Sequence, residues 1–205
     1  MNSDFQKLMV NDLISINIDQ NNAKIITKNV FDLMNDKRLK YHNYQHPLYI
    51  RNFTLSHNIF INNEVKMGIW FHDVFFSNLL NINEELSSQI MENILQKSNV
   101  KQNFIDNVKE IILTTKNFLQ LDQNLTYDQN LMMDLDLCSL ADHNINTLID
   151  NFNKLISEGS NTLQNSINFY NVLLNRKNIF RTQIFQSKFE KIAVSNCTKM
   201  LDYLK

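Results

Sequence analysis

The segment Gly68–Phe76, GIWFHDVFF, places residues that could do chemistry in an apolar setting. A histidine and an aspartate, His72 and Asp73, are neighbours there between aromatic and aliphatic residues. Burying a carboxylate costs free energy unless it is hydrogen-bonded, paired with a charge or bound to a metal. Imidazole and carboxylate together are also donors that divalent metal ions accept. The segment alone leaves two interpretations open, a hydrogen-bonded core pair and one half of a cation site.

Two further histidines precede the only proline of the chain, in YHNYQHPL at 41–48. Proline disfavours helical conformation in the residue before it and suits the first helical position. We therefore expect a helix to begin at Pro47, with His46 at its entrance and His42 in the preceding turn. A histidine at a helix entrance reaches a cavity more easily than one in mid-helix, although both residues could equally be simple hydrogen-bonding groups.

Acidic residues form two more candidate groups. Asn83 is placed to cap a helix with Glu84 in its first turn, where acids are usually surface groups that suit the helix dipole. The functional alternative is that Glu84 faces the His72–Asp73 cavity as a proton acceptor. Asp134 and Asp136 flank one leucine in an apolar stretch, and a spacing of two turns them about 200° apart on a helix. At most one of these two can then point at a given site.

The elements that position these residues are predicted to be helices. The chain of 205 residues has two glycines and one proline, too few for the turns of an all-β protein. We predict one all-α domain over 1–205, with Asp19 as a helix cap and Ile25 on an apolar face. Hydrophobic periodicity and turn residues place helices at 4–14, 21–36, 47–60, 63–76, 86–97, 101–118, 144–157, 161–175 and 184–204.

Composition excludes some classes of partner. A net charge of −1 gives no basic surface to neutralise a nucleic-acid backbone. No apolar run approaches the ~20 residues of a membrane span, and the N-terminus lacks the layout of a signal peptide. We expect a cytoplasmic protein that binds neither nucleic acid nor membrane. A disulfide between Cys138 and Cys197 is left open, and a reducing compartment is the simpler interpretation.

The order His46, His72–Asp73 and a later aspartate resembles the HD superfamily of metal-dependent phosphohydrolases, in particular a branch of small predicted phosphohydrolases. The resemblance covers most of the chain beyond about residue 20 and leaves 1–20 as an N-terminal helical extension. It implies an HD-like bundle of about eight to ten helices. The similar stretches are YHNYQH at 41–46, IWFHDVFF at 69–76, NEELSS at 83–88, MDLDLCSLA at 133–141, and the C-terminal NRKNIFRTQIF and FEKIAVSN.

The resemblance implies a role for each matching residue. A divalent metal, with Mn²⁺, Mg²⁺, Co²⁺, Fe²⁺ and Zn²⁺ all open, would be bound by His46, His72, Asp73 and Asp136, the last narrowly preferred to Asp134. Asp73 or Glu84 would assist an attacking water, and His42 would line the cavity. Phosphate contacts are expected from His42, Lys116 and Arg176, although cations near helix ends are also ordinary surface groups.

The implied function is hydrolysis of a small phosphate ester, with a nucleotide as the expected class. The alternative is a catalytically impaired module that still binds a nucleotide or metal. Departures from the family pattern motivate that alternative: Asn117 and Phe118 stand where a histidine is frequent, and an expected arginine–glutamate pairing is not evident around Glu158. A third possibility is a structural domain in which histidine and aspartate pair within the core. The oligomeric state, including a homo-oligomer, is left open.

Overall fold

In the computed structural model, which describes residues 1–117, 119 and 124–205, every regular element is a helix. Ten α-helices and two short 3₁₀ turns occur, and no strand lies within the described ranges. The predicted all-α fold of about eight to ten helices is therefore confirmed. The helices group into two compact units, Met1–Lys116 and Asn117–Lys205, and the single domain predicted over 1–205 stays a prediction.

Six α-helices build the first unit, and polar side chains fix where several of them begin. Asn2, Asp19 and Asn62 each accept hydrogen bonds from backbone N–H groups of the helix that follows. The prediction of Asp19 as a cap is confirmed. The helices are α1 (Ser3–Ile14), α2 (Gln20–Met34), α3 (Gln45–Ser56), α4 (Asn63–Phe71), α5 (Asn83–Lys97) and α6 (Gln102–Thr114).

Asparagine takes over the role of glycine in the loops of this unit. Asn17, Asn58 and Asn99 have φ values of 66°, 52° and 56°, each shortly after the end of a helix. Asparagine tolerates this left-handed region better than other residues with a side chain. A chain with two glycines can therefore still make tight turns between its helices.

The core of the first unit surrounds α4. Trp70 on α4 meets the ring of Phe5 edge-on at 5.1 Å, and Phe5 meets Phe31 at 5.6 Å. Helix α4 packs against α1, α3, α5 and α6. Ile25 was predicted on the buried face of α2 and is instead exposed. The segment that leads into His72 is thus held on several sides by apolar packing.

The described residues of the second unit form four α-helices: α7 (Tyr127–Asp136), α8 (Ile145–Glu158), α9 (Leu163–Leu174) and α10 (Gln183–Tyr203). Helix α10 packs against α8, α9 and the 3₁₀ turn Cys138–Ala141. The side-chain amide of Asn196 donates to the carbonyls of Leu140 at 2.9 Å and Asp142 at 2.7 Å. This buried asparagine ties α10 to the end of that turn.

The predicted end of the fourth helix is wrong. Helix α4 ends at Phe71 rather than at residue 76, so His72 and Asp73 lie just beyond it. The hydroxyl of Ser87 on α5 accepts from the N–H of Phe75 and donates to its carbonyl, both at 3.1 Å. These bonds satisfy the backbone of the aromatic segment without a helix.

Boundaries of three other helices also differ from the prediction. Helix α3 begins at Gln45, which puts His46 within its first turn, and it ends at Ser56 rather than near residue 60. Asn83 lies inside the first turn of α5 instead of capping it, because its side chain binds the backbone N–H and carbonyl of Ser77. Helix α6 ends four residues before the predicted end at 118 and continues as a 3₁₀ turn over 115–117.

Candidate metal centre

His72 follows directly on the last residue of α4, and the backbone fixes the orientation of its ring. Nδ1 lies 3.0 Å from the carbonyl oxygen of Ile69. Because a carbonyl only accepts hydrogen bonds, Nδ1 carries the proton, which places the lone pair on Nε2 in the neutral ring. Backbone carbonyls select the tautomer of metal-binding histidines in the same way.

The side chains of His46, His72 and Asp73 converge within the first unit. Oδ2 of Asp73 lies 3.2 Å from Nε2 of His72 and 3.7 Å from Nε2 of His46. The two imidazole centroids are 5.2 Å apart, with their planes at 60°. Both histidines are buried, and the side chain of Asp73 keeps 16% of its exposure. Packing of α3 against α4 brings these distant residues together.

The donor separations fit one shared cation. Nitrogen and oxygen ligands lie about 2.0–2.2 Å from an ion such as Zn²⁺, so two of them on one ion are roughly 3–3.5 Å apart. The His72–Asp73 distance of 3.2 Å falls in that range, and the His46–Asp73 distance of 3.7 Å is slightly wider. A neutral His72 would turn its lone pair toward a carboxylate oxygen, and the two repel unless a proton or a metal ion lies between them.

Charge at this site favours an ionised carboxylate. Burial raises the pKa of Asp73, but the positive charge that His72, His42 and His46 carry when protonated, together with a hydrogen bond from protonated His72, outweighs burial and holds the pKa below its usual range. Asp73 is therefore an anion at neutral pH. The ionised form is the one that binds a metal, so the group is ready to do so without first losing a proton.

His42, predicted to line the cavity, lies in the turn before α3 and acts on Asp73 through its charge. Its ring stacks on Phe76, with centroids 3.6 Å apart and planes at 7°, and meets the edge of Tyr41 at 5.0 Å. Aromatic packing therefore fixes the plane of this imidazole. The first unit thus brings His42 into the same group as His46, His72 and Asp73.

Glu84 and Lys116, two other predicted site residues, also belong to the first unit. Burial and the negative charge of Asp73 raise the pKa of half-buried Glu84, which is the direction expected of a general base that works near neutral pH. Lys116 donates from Nζ to the Asn81 carbonyl at 2.8 Å and to the Glu85 carboxylate at 2.5 Å. Contact of Lys116 with a phosphate would require it to leave Glu85, and that role stays a prediction.

The two candidate aspartates of the second unit differ in their surroundings. Asp134 is buried and accepts hydrogen bonds from the N–H of Arg181 at 2.7 Å, the N–H of Thr182 at 2.7 Å and the Thr182 hydroxyl at 2.6 Å. Asp136 is the last residue of α7 and is half-buried. Because both oxygens of Asp134 hold the start of α10, Asp136 is the better candidate of the pair. Its role as a ligand stays a prediction.

Arg176 follows α9 and Arg181 precedes α10, and carboxylates hold the turn between them. Glu190 accepts hydrogen bonds from the backbone N–H groups of residues 179 and 180, at 2.6 and 3.1 Å. The next two N–H groups, those of residues 181 and 182, donate to Asp134. Four consecutive backbone N–H groups are therefore bound by two carboxylates. Burial lowers the pKa of both arginines. The phosphate contact predicted for Arg176 stays a prediction.

The departures from the family pattern fall in different places. Glu158 ends α8, and its carboxylate accepts a hydrogen bond from the Ser160 hydroxyl at 3.0 Å. Asn117 is the last residue of the 3₁₀ turn after α6. Phe118, the other departure in that region, lies outside the described residues. These positions do not test whether the departures impair activity, and that effect stays a prediction.

One buried acid of the first unit, Asp12, is not singled out by the sequence analysis. Asp12 on α1 is buried and accepts hydrogen bonds from Arg51 on α3 and Trp70 on α4. The signal for it was present, because Asp12 stands three residues after Met9 and so shares the apolar face of α1. An acid on the apolar face of an amphipathic helix indicates a buried partner.

Comparisons of the chain with protein families, curated proteins and solved structures found no match. The resemblance to the HD superfamily therefore rests on the sequence stretches alone and stays a prediction. Among the helices that the structure describes, none is both long and apolar enough to cross a membrane.

Proposed function

We propose that the protein is a metal-dependent phosphohydrolase whose metal is bound by His46, His72 and Asp73. The observation that carries the proposal is the convergence of these side chains, with the Nε2 atom of His72 turned toward the Asp73 carboxylate at 3.2 Å. Two imidazoles and a carboxylate suit a divalent cation such as Mn²⁺, Fe²⁺, Co²⁺ or Zn²⁺. Asp136 enters the ligand set from the resemblance.

The residues of the first unit support the chemistry of such a site. A bound divalent ion supplies a lowered pKa for water and neutralises charge on a phosphate. Glu84 has the raised pKa of a proton acceptor, and we assign it the role of general base. The stacked His42 would donate a hydrogen bond to the phosphate. Substrate class, a small phosphate ester such as a nucleotide, follows from the resemblance only.

Metal analysis combined with a phosphatase screen tests the proposal. Purified protein is loaded with Mn²⁺, Mg²⁺ or Co²⁺ and assayed against nucleoside mono-, di- and triphosphates and simple phosphate esters. The matched control is His57→Ala, because His57 directly follows the last residue of α3, stacks on Phe53 and lies roughly 16 Å along the helix axis from His46. We expect the double variant His72→Ala, Asp73→Ala to lose bound metal and activity, while His57→Ala keeps both.

Two other outcomes would select a different function. If the protein binds metal and nucleotide but no substrate is hydrolysed, the chain is a binding or regulatory module. If neither metal content nor thermal stability responds to any of the ions, His72 and Asp73 form a structural pair and the proposal is wrong. Wild-type activity equal to that of the double variant on every substrate would likewise exclude catalysis at this site.

A further inference from the structure

A buried carboxylate joins three helices of the first unit at one point. Oδ2 of Asp12 accepts from Nε of Arg51 at 2.7 Å and from the indole N–H of Trp70 at 2.8 Å. Oδ1 accepts from Nη2 of Arg51 at 3.0 Å, and the remaining guanidinium nitrogen donates to the hydroxyl of Thr54 at 2.7 Å. Asp12, Arg51 and Trp70 are 5%, 5% and 0% exposed. Helices α1, α3 and α4 therefore meet on one carboxylate.

Apolar packing alone could fill this position. Replacing a buried ion pair by hydrophobic residues of similar volume is often neutral or even stabilising, since desolvation offsets much of the attraction. Unlike apolar contacts, the hydrogen bonds of the ion pair and the indole are directional, because each forms only within a narrow range of distance and angle. The network thus fixes the relative placement of its helices more narrowly than packing does.

Two of the three helices that the network joins position the candidate ligands, since His46 is on α3 and His72 directly follows α4. Arg51 follows His46 by five residues on α3, about 7.5 Å along the helix axis. Trp70 precedes His72 by two residues at the end of α4. The two imidazoles must stay about 5 Å apart, as observed at 5.2 Å, for both to reach one cation. A slide of α3 along α4 by a fraction of a turn would separate them.

We propose that Asp12 is a positioning residue, which sets the spacing of His46 and His72 through Arg51 and Trp70. The inference rests on the metal-binding part of the proposed function and not on the identity of the substrate. Asp12 lies in the N-terminal extension 1–20, outside the stretches that resemble the HD superfamily. The extension thereby becomes a part of the metal centre, although none of its side chains needs to touch the ion.

Calorimetric titration with Co²⁺ of the full chain tests this role. Asp12→Asn keeps the shape of the side chain and removes its charge, and Leu95→Ala truncates a fully buried residue of α5 as a matched loss of core stability. Titrations are made well below the unfolding temperature of each variant. We expect Asp12→Asn to weaken Co²⁺ binding by about tenfold or more, the lower end of losses at groups that orient metal ligands. Leu95→Ala should bind Co²⁺ like wild type.

A second variant covers the case in which Asp12→Asn does not fold. Trp70→Phe leaves the Asp12–Arg51 pair in place and removes the bond to α4 together with part of a buried ring, a loss of packing that Leu95→Ala controls for, so it too should weaken Co²⁺ binding relative to Leu95→Ala. If Asp12→Asn and Trp70→Phe both bind Co²⁺ as tightly as wild type does, the network serves stability alone and the inference is overturned. The same holds if Leu95→Ala loses as much Co²⁺ affinity as these two variants do.

A metal-free readout separates this inference from the proposed function. Long-range ¹H–¹⁵N spectra report the ring nitrogens of His46 and His72 without any cation. If wild type binds no Co²⁺, the metal centre fails, and these spectra then decide the positioning role by themselves. Shifts of both rings in the Asp12 or Trp70 variant, and not in Leu95→Ala, support it. Unchanged rings in all variants contradict it.

Discussion

The two ring nitrogens of His72 make different contacts. Nδ1 donates to the Ile69 carbonyl at 3.0 Å, and Nε2 lies 3.2 Å from Asp73. The first contact belongs to the end of α4, whereas the second belongs to the candidate metal centre. A substitution can therefore remove one contact and keep the other, which separates structure from function at a single residue.

His72→Asn makes that separation. The amide of asparagine can stand in for Nδ1 and donate to Ile69, but it places no atom at Nε2. We expect the free energy of unfolding to change by less than about 1.5 kcal/mol, the range of one hydrogen bond. Metal affinity should fall by at least ~100-fold, the upper end of losses from removing only an orienting partner.

Chemical denaturation and calorimetry measure the two quantities for His72→Asn. His72→Gln is the reciprocal variant, since its longer amide reaches toward the Nε2 position and not toward Ile69. Undiminished metal binding by His72→Asn would exclude Nε2 as a ligand atom. A large loss of stability without loss of metal would assign His72 to the fold alone.

At the scale of elements, Asp134 links the end of α7 to the start of α10. Its three hydrogen bonds go to the backbone of Arg181 and to both donors of Thr182, the residue before α10. Burial nevertheless raises its pKa from the usual 3.8 to about 6. A carboxyl whose pKa is raised on folding stabilises the native state when protonated, below the unfolded pKa, and that stabilisation is lost as the pH rises through the folded pKa.

Asp134→Asn should therefore change how stability depends on pH. At about 1.4 kcal/mol per pH unit over a window of roughly two units, the free energy of unfolding of wild type should fall by ~3 kcal/mol relative to the variant between pH 4 and pH 7. Urea denaturation at a series of pH values measures this difference. The control is Asp150→Asn, an exposed acid of the same unit. A difference that stays constant with pH would contradict the raised pKa.

The helices themselves were predictable, because their apolar residues recur with helical period and residues such as Asp19 mark their starts. The end of α4 was not. Val74, Phe75 and Phe76 continue the apolar pattern past Phe71, and the helix stops because Ser87 bonds to the backbone of Phe75. A partner twelve residues later along the chain leaves no local signal.

The sequence predicted the ligand residues of the candidate site, but it did not predict the hydrogen bonds that hold the surrounding helices in place. His46, His72 and Asp73 were expected together, and packing of α3 on α4 brings them together. The choice between Asp134 and Asp136 needed the hydrogen bonds of Asp134, which depend on residues almost fifty positions away. Asp12 and its partners were also missed, because the residue spacing within one helix does not show which side chains pair between three helices.

For the whole molecule, two natural probes report on the two units separately. Trp70 is the only tryptophan and lies in the core of Met1–Lys116. Cys138 and Cys197 are the only cysteines, and both are free and buried in Asn117–Lys205. Burial raises the pKa of both thiols, that of Cys197 to about 12. Since the thiolate is the reactive form, both should resist labelling until their unit unfolds.

The predicted single domain can be tested with these probes. A small single domain unfolds in one cooperative step, so different probes give the same transition. We expect the urea midpoint from Trp70 fluorescence to coincide with the midpoint from pulsed thiol labelling. Leu95→Ala, which truncates a core residue of the first unit, should then lower both midpoints together. Two separate midpoints, with only the fluorescence transition moved by Leu95→Ala, would show that the units unfold independently and that the chain comprises two domains.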